Sequence, residues 1–125
     1  MIELINIPTK ELFFAIVHPD VKVDTKTARE ILPNKVNLSD AINQCGNIAA
    51  LTYGFYSNDI NLIRRSMTDY IIEPVRSKLI PGYYDVKNIA IESGAIGCSI
   101  SGSGPSIFAL CKTEDISKKV ISKME

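Results

Sequence analysis

The sequence predicts an α+β domain in which helices pack on one face of a small antiparallel sheet. Short runs of apolar, β-favouring residues near both ends of the chain predict strands, and a helical spacing of apolar residues between them predicts helices. The predicted order is strand, strand, helices, strand, strand and helix. The 125 residues are predicted to form a single domain, because this length is sufficient for one hydrophobic core.

The N-terminal half is predicted to contain two strands followed by two helices. Residues 2–7 favour a short strand, and the unbroken apolar run at residues 12–17 predicts a strand that is buried on both faces. Asp24 is a suitable N-cap for a helix over residues 25–32. Ser39 is the predicted N-cap of the longest helix, whose wide apolar face predicts that it is largely buried.

The C-terminal half is predicted to contain helices over residues 60–70 and 81–93, then two strands and a last helix. Apolar runs at residues 96–100 and 107–111 predict the two strands. The last helix begins at Glu114, where acidic residues favour the positive end of the helix dipole.

The composition is that of a globular protein with no excess of either charge. Hydrophobic residues make up 46% of the chain and charged residues 22%, and fourteen basic residues balance fourteen acidic ones. A chain without net charge has no long-range field that would attract nucleic acid or an anionic membrane. No apolar run is long enough to span a bilayer, and the first residues lack a signal-peptide pattern. We therefore expect neither a nucleic-acid nor a membrane partner.

The cysteines and the single histidine predict no metal site. Cys45, Cys98 and Cys111 are far apart and form no CxxC or Cys/His pattern. Their odd number and apolar neighbours predict reduced, buried thiols and a cytoplasmic protein. Cys98 and Cys111 could face each other across two strands, but packing is preferred over a disulfide. His18 follows a predicted strand without a matching ligand, so we interpret it as structural.

The loop between the two C-terminal strands is a candidate ligand site. It consists of small residues: Ser101, Gly102, Ser103, Gly104, Pro105 and Ser106. The two glycines permit positive φ and lack a Cβ, so a ligand can approach the backbone closely. An ordinary glycine-rich hairpin is the alternative, because so short a motif is a weak signal by itself.

Two further positions are candidates for binding an anion. Thr25 and Arg29 are four residues apart, so their side chains emerge on one face of the predicted helix, where a hydroxyl and a guanidinium suit a carboxylate. The alternative is an exposed Arg29 that pairs with Glu30 or with water. Arg76 lies in a short element between two prolines and can reach across a cleft, but an ion pair with Glu73 explains the pattern equally well.

Three segments together resemble the GHMP kinases, and within that family the homoserine kinases. Residues 101–110 are similar to the third conserved motif of the family. Residues 23–33, V-D-T-K-T-A-R-E-I-L-P, and residues 73–81, E-P-V-R-S-K-L-I-P, are similar to segments of homoserine kinases. The resemblance spans residues 23–111 in the order of the family. It covers only the C-terminal part of such an enzyme, because the P-x-x-x-G-x-x-S-S-A loop of the N-terminal ATP-binding domain is absent from this sequence.

The resemblance implies a ferredoxin-like C-terminal domain of a kinase of threonine biosynthesis that phosphorylates L-homoserine with ATP. In that scheme Arg29 and Arg76 hold the homoserine carboxylate with help from Thr25, and the loop at residues 101–106 lies near the transferred phosphate. No catalytic residue is assigned within this chain, and ATP and Mg²⁺ would be held mainly by the N-terminal domain, its expected partner. The isolated chain is then expected to be inactive. A homodimer is a further candidate assembly.

Two other interpretations stay open at the level of sequence. The chain can belong to another GHMP kinase with a different small-molecule acceptor. It can also be a non-catalytic α+β module for ligand binding or dimerisation, because a fold alone does not define a function. A pair of arginines on one ligand favours an amino acid over a sugar acceptor.

Overall fold

The computed structural model describes residues 3–125 of the chain. Within them, three strands and six α-helices form, with one 3₁₀ turn at Ser77–Leu79. The elements in chain order are β1 (Phe13–Val17), α1 (Thr25–Glu30), α2 (Leu38–Ser57), α3 (Ile60–Ser66), α4 (Glu73–Arg76), α5 (Tyr83–Glu92), β2 (Gly97–Ile100), β3 (Ile107–Cys111) and α6 (Glu114–Met124).

The three strands form an antiparallel sheet in the order β1-β3-β2. The central strand, β3, pairs with β1 on one side and β2 on the other, and Ala109 is opposite both Ala15 and Cys98. The predicted α+β class with helices on a small antiparallel sheet is therefore confirmed. The strand expected at residues 2–7 does not form over the described residues 3–7, and Ile2 lies outside them. Leu4 and Ile5 are 93% and 75% exposed, so no strand or helix of residues 3–125 covers these two side chains.

Helices cover both faces of the sheet rather than the single face expected. Successive residues of a strand point to opposite faces, so β3 contributes to two separate clusters. On one face Ala109 and Cys111 pack with Tyr83 and Ala90 of α5 and Val120 of α6. On the other face, the α2–α3 hairpin contributes to a smaller cluster of apolar side chains: Leu51, Phe55, Ile63, Ile96 and Leu110.

The prediction that the strand at residues 12–17 is buried on both faces is wrong. Ala15 is 1% exposed, whereas Phe14 and Ile16 are 58% and 55% exposed. β1 is an edge strand of the described sheet, and the α2–α3 hairpin leaves the face that carries Phe14 and Ile16 uncovered. A continuous apolar run shows that a strand can be buried on both faces, but not that a neighbouring element covers both.

The longest helix is also more exposed than its apolar face predicts. Gly54 is the one buried residue of α2, and Ile42, Ile48 and Tyr53 are each more than half exposed. The helix packs mainly on α3, so most of its apolar stripe has no partner among residues 3–125. No helix in this part of the chain has both the length and the apolarity to cross a membrane.

The N-terminal ends of α1 and α2 show which N-cap residues the local sequence predicted correctly. Asp24 caps α1 as predicted, because its Oδ2 accepts a hydrogen bond from the Thr27 amide at 2.9 Å. The cap of α2 is Asn37 instead of Ser39, and the Asn37 side chain makes no capping hydrogen bond. A terminus without a side-chain cap has no strong local signal, which explains the error of two residues.

The three cysteines are free thiols, but not all of them are buried. Cys98 and Cys111 are buried, whereas Cys45 is exposed on α2, contrary to the prediction. Burial raises the pKa of Cys111, and burial together with the nearby Glu73 charge raises the pKa of Cys98 to about 12, although the Lys87 charge acts in the opposite direction. The two buried thiols therefore stay protonated at neutral pH and act as packing groups.

Two glycines of the same helix give a matched test of the α2–α3 contact. A Cβ at Gly46 would meet no atom within 4 Å, whereas a Cβ at Gly54 would lie 3.0 Å from Ile63 Cγ1 and 3.2 Å from the Ile63 amide nitrogen. We expect Gly46→Ala to raise the free energy of unfolding by about 0.5–1 kcal/mol through helix propensity. Gly54→Ala should lower it, because overpacking costs about 1–3 kcal/mol. Urea denaturation measures both, and stabilisation by Gly54→Ala would contradict this contact.

Candidate functional site

Arg76 connects three segments that are far apart in the sequence. Its Nε donates a hydrogen bond to the carbonyl oxygen of Ala28 in α1 at 3.3 Å, and its Nη1 donates to the carbonyl oxygen of Gly102 at 2.9 Å. Arg76 therefore lies between the helix that carries Thr25 and Arg29 and the glycine-rich loop at residues 101–106. These are the segments that the sequence analysis selected, and the structure brings them into contact.

The turn before α4 determines where Arg76 is placed. Asp69 Oδ1 accepts hydrogen bonds from the amides of Ile71 and Ile72, both at 2.8 Å, so the chain enters α4 in a fixed direction. Pro74 occupies the first turn, where a missing N–H costs little. Arg76 then ends the four-residue helix, with its side chain partly buried.

Neither of the ion pairs considered as alternatives forms. Glu30 pairs with Lys26 at 3.8 Å, and Arg29 makes no ion pair within residues 3–125. Glu73 pairs with Lys87 and accepts a hydrogen bond from Ser99 Oγ at 3.1 Å, so it does not neutralise Arg76. Both guanidiniums therefore keep their positive charge without a carboxylate partner in the described part of the protein.

Thr25 and Arg29 lie on one exposed helix. Thr25 begins α1 and Arg29 occupies its last turn, and both residues are exposed. The buried side of the same helix is Ala28, whose carbonyl oxygen holds the Nε of Arg76. The hydroxyl and the guanidinium are thus presented on a helix that contacts Arg76 directly.

The glycine-rich loop has the backbone conformation that its glycines predict. Gly102 and Gly104 have φ values of 59° and 84°, a region that residues with a Cβ rarely adopt. The Ser101 amide donates to the Ser106 carbonyl oxygen at 2.8 Å, which closes the loop. A Cβ at Gly102 would meet no atom within 4 Å, so the backbone there is open to a ligand.

His18 contacts this loop, which the sequence analysis did not predict. Its Nδ1 lies 2.7 Å from Ser106 Oγ, and either atom can be the donor, depending on the tautomer. Val17 and Ile107 are opposite each other in the β1–β3 pair, so the residue after Val17 meets the residue before Ile107. Only the strand register reveals this contact, because the two residues are 88 positions apart.

Within residues 3–125, the candidate cationic residues lie outside the cavity that His18 lines, and no metal-binding cluster forms. A cavity of about 390 Å³ is lined by His18 and Ile80 among others, but by none of Thr25, Arg29 and Arg76. Among residues 3–125, no group of three His, Cys, Asp or Glu side chains is placed to hold a metal ion. The arrangement therefore supplies cationic and hydroxyl groups for an anionic ligand.

The fold and the position of the loop agree with a known protein family. Residues 48–125 match the family model described as GHMP kinases C terminal. The chain belongs to this family. The match includes α4, the glycine-rich loop and both of its flanking strands. The GHMP kinase resemblance that the loop motif suggested is thereby confirmed.

Several curated GHMP relatives carry the name homoserine kinase. The protein from Chlorobium phaeobacteroides is 48% identical over 125 residues, covering 99% of this chain and 39% of the relative. The proteins from Chloroherpeton thalassium and Methanococcus maripaludis are 49% and 40% identical, each with 38% of the relative covered. The chain thus spans about two fifths of the length of these relatives.

Two solved structures share the fold of this chain. A crystal structure of homoserine kinase from Cytophaga hutchinsonii is 50% identical, has a TM-score of 0.95 and is covered over 39% of its length by 98% of this chain. A protein from Listeria monocytogenes, at 16% identity and a TM-score of 0.59, shares the fold alone. The expected resemblance to the C-terminal part of homoserine kinases is confirmed.

The His18–Ser106 contact gives a testable expectation for the loop. His18→Ala removes a hydrogen bond worth about 0.5–1.5 kcal/mol, so the amides of Ser101 and Gly104, which are bonded within the loop, should exchange with solvent up to about tenfold faster. Ser122→Ala is the control, because its hydroxyl donates to Lys119 within α6, away from the loop. Hydrogen exchange followed by NMR measures both. Equal loop protection in the two variants would show that His18 does not support the loop.

Proposed function

We propose that this chain is the substrate-binding C-terminal domain of a homoserine kinase. The complete enzyme would transfer the γ-phosphoryl group of ATP to the hydroxyl of L-homoserine, giving O-phospho-L-homoserine and ADP. The observation that carries the proposal is the position of Arg76 between α1 and the glycine-rich loop. Relatives that carry the name homoserine kinase align over nearly the whole chain, which supports the choice of acceptor.

In this proposal the arginines recognise the carboxylate of homoserine. A guanidinium binds a carboxylate through two parallel hydrogen bonds, which fixes the orientation of the ligand as well as its position. Arg76 uses one Nη1 bond and its Nε for backbone carbonyls, so its Nη2 donors can face a ligand. Arg29 has no ion pair within the described residues, and the hydroxyl of Thr25 lies on the same helix face.

The loop would line the site near the transferred phosphate. The Ser101 and Gly104 amides bond within the loop, whereas the amides of Gly102 and Ser103 make no backbone hydrogen bond in the described part of the chain. Amides on a backbone without a nearby side chain are suited to a phosphate oxygen. Phosphoryl transfer depends mainly on positioning and charge stabilisation, so a carboxylate held by arginines and a phosphate held by amides would align the reacting groups.

The nucleotide and its metal would be bound outside the described residues. ATP and Mg²⁺ are what a kinase of this family requires, but residues 3–125 contain no three-ligand group for a cation. We assign them to an N-terminal domain of a longer polypeptide, in keeping with the greater length of the relatives. A cytoplasmic location and a role in threonine biosynthesis are parts of the same proposal.

The exposed apolar side chains support a partner domain. Phe14 and Ile16 on β1 are more than half exposed, and the ring of Phe14 lies 5.9 Å from the ring of Phe108. Contiguous apolar surface of this kind marks an interaction site. We propose that the N-terminal domain of the same polypeptide covers it, with a homodimer as the second candidate. Sedimentation of the longer protein distinguishes a monomer from a dimer.

Replacement of Arg76 tests the carboxylate role. In the longer protein that carries this chain, we expect Arg76→Ala to raise the KM for homoserine at least tenfold and the KM for ATP much less. A hydrogen bond that involves a charged group contributes about 1.5–3 kcal/mol, and each ~1.4 kcal/mol is a factor of ten. Arg65→Ala on the exposed side of α3 is the matched control. Unchanged homoserine kinetics in Arg76→Ala would remove this residue from the site.

The isolated 125-residue chain should not phosphorylate homoserine, because the nucleotide and Mg²⁺ are assigned above to a separate N-terminal domain. A coupled assay for ADP release, with ATP, Mg²⁺ and homoserine, measures this directly. Turnover at about 1–100 s⁻¹, the range of ordinary kinases, would show that a complete active site lies within these residues. The longer protein serves as the positive control in the same assay.

A further inference from the structure

Glu73 is a buried charge whose contacts link two parts of the candidate site. The residue is 5% exposed and begins α4. Its Oε1 accepts a hydrogen bond from Lys87 of α5, and its Oε2 accepts one from Ser99 Oγ of β2 at 3.1 Å. Burying a carboxylate is costly unless it is paired and hydrogen-bonded, and here both oxygens are engaged.

Three other ionisable side chains lie near the Glu73 carboxylate: Lys87, Tyr83 and Cys98. Tyr83 is buried, and among residues 3–125 no hydrogen-bond partner of acceptable geometry meets its hydroxyl. Burial and the Glu73 charge raise the pKa of Tyr83, and both raise the pKa of Cys98 to about 12. Lys87 Nζ also lies 5.9 Å from the centre of the Tyr83 ring. Tyr83 and Cys98 thus stay protonated at neutral pH beside the Glu73–Lys87 ion pair.

Two hydrogen bonds join α4 to the segment that runs from β2 into the glycine-rich loop. Glu73 bonds Ser99, and Arg76, three residues further along α4, bonds the backbone of Gly102, three residues beyond Ser99. The first contact is partly buried and the second lies at the surface. Together they set the distance between α4 and the end of β2, and this distance decides whether Arg76 can reach the loop.

A contribution to stability is a weak explanation for the ion pair between Glu73 and Lys87. Replacing a buried ion pair by apolar groups of similar volume often leaves stability unchanged or raises it. Glu73 nevertheless lies at the start of the helix that carries Arg76, and its other partner, Ser99, lies on the strand that leads into the loop. The positions of Glu73 and Ser99 therefore connect this contact to the placement of Arg76 and the glycine-rich loop.

We propose that Glu73 is a positioning residue, which holds α4 and β2 together through Ser99 so that Arg76 meets both α1 and the glycine-rich loop. Its consequence for substrate binding rests on the function proposed above. Lys87 neutralises the carboxylate, and Ser99 transmits its position to the loop. Loss of the Glu73–Ser99 contact then releases the guanidinium of Arg76 from the carbonyl oxygens of Ala28 and Gly102.

A spectroscopic experiment tests the positioning without any catalysis. In the 125-residue chain, the Nε–Hε signal of Arg76 is identified by its loss in Arg76→Lys, and its exchange with water is measured by ¹⁵N NMR. Ser99→Ala keeps the Glu73–Lys87 pair and removes the link to β2. Glu73→Met/Lys87→Met removes both charges together with the acceptor of the Ser99 hydroxyl, so no unpaired charge is left buried. Glu92→Gln on the exposed side of α5 is the control.

We expect exchange of the Arg76 signal to become at least fivefold faster in Ser99→Ala and in the double variant, and to be unchanged in Glu92→Gln. Unchanged exchange in both folded variants overturns the proposal. Exchange that is already as fast as that of a free arginine in the parent chain also overturns it, because Arg76 would then not be held in place.

Kinetics of the longer protein test the consequence for the substrate. Ser99→Ala should raise the KM for homoserine several-fold and leave the KM for ATP unchanged, whereas a merely structural role would lower the fraction of active enzyme and leave both KM values unchanged. A parent protein that does not phosphorylate homoserine would refute the proposed function, and the NMR result would then decide the positioning role by itself. Faster exchange with an unchanged homoserine KM would overturn the link between Glu73 and substrate.

Discussion

Pairing of β3 with both β1 and β2 is the interaction on which the other contacts depend. The antiparallel register places Ala109 opposite Ala15 and Cys98, so one strand supplies apolar side chains to the clusters on both faces of the sheet. The same register brings His18 to Ser106 and closes the glycine-rich loop between β2 and β3. The loop is therefore held at both of its ends by β2 and β3, and at its exit by His18, the residue that follows β1.

Local sequence patterns predicted most of the helices and strands. The wrong predictions concern burial, which depends on contacts between residues that are distant in the sequence. The cap at Asp24 and the two C-terminal strands follow from patterns within a few residues, and both are present. The exposure of β1 and α2 does not follow from such patterns. An apolar stripe shows which side of a helix or strand can be buried, but only the arrangement of the other elements decides whether that side is covered.

In the candidate site too, sequence patterns predicted the segments, whereas the partners of Glu73 come from residues that are distant in the sequence. The sequence selected Thr25, Arg29, Arg76 and the loop, and the structure joins their segments through the guanidinium of Arg76. Sequence proximity also suggested that Glu73 pairs with Arg76. Glu73 instead pairs with Lys87, which is 14 residues away, and with Ser99, which is 26 residues away. A buried carboxylate needs partners that are buried with it, and these come from distant elements.

The strand order also has a consequence for the synthesis of the protein. β1 spans Phe13–Val17 and its partner β3 spans Ile107–Cys111, so the sheet closes only after residues 18–106 have also been synthesised. Contacts between residues so distant in sequence form slowly, because a long loop must first be closed. A growing chain on the ribosome has the helices of the N-terminal half before it has β3, and β1 has no strand partner until then. The exposed side chains of β1, Phe14 and Ile16, therefore lie on a strand without a paired neighbour until β3 has been synthesised.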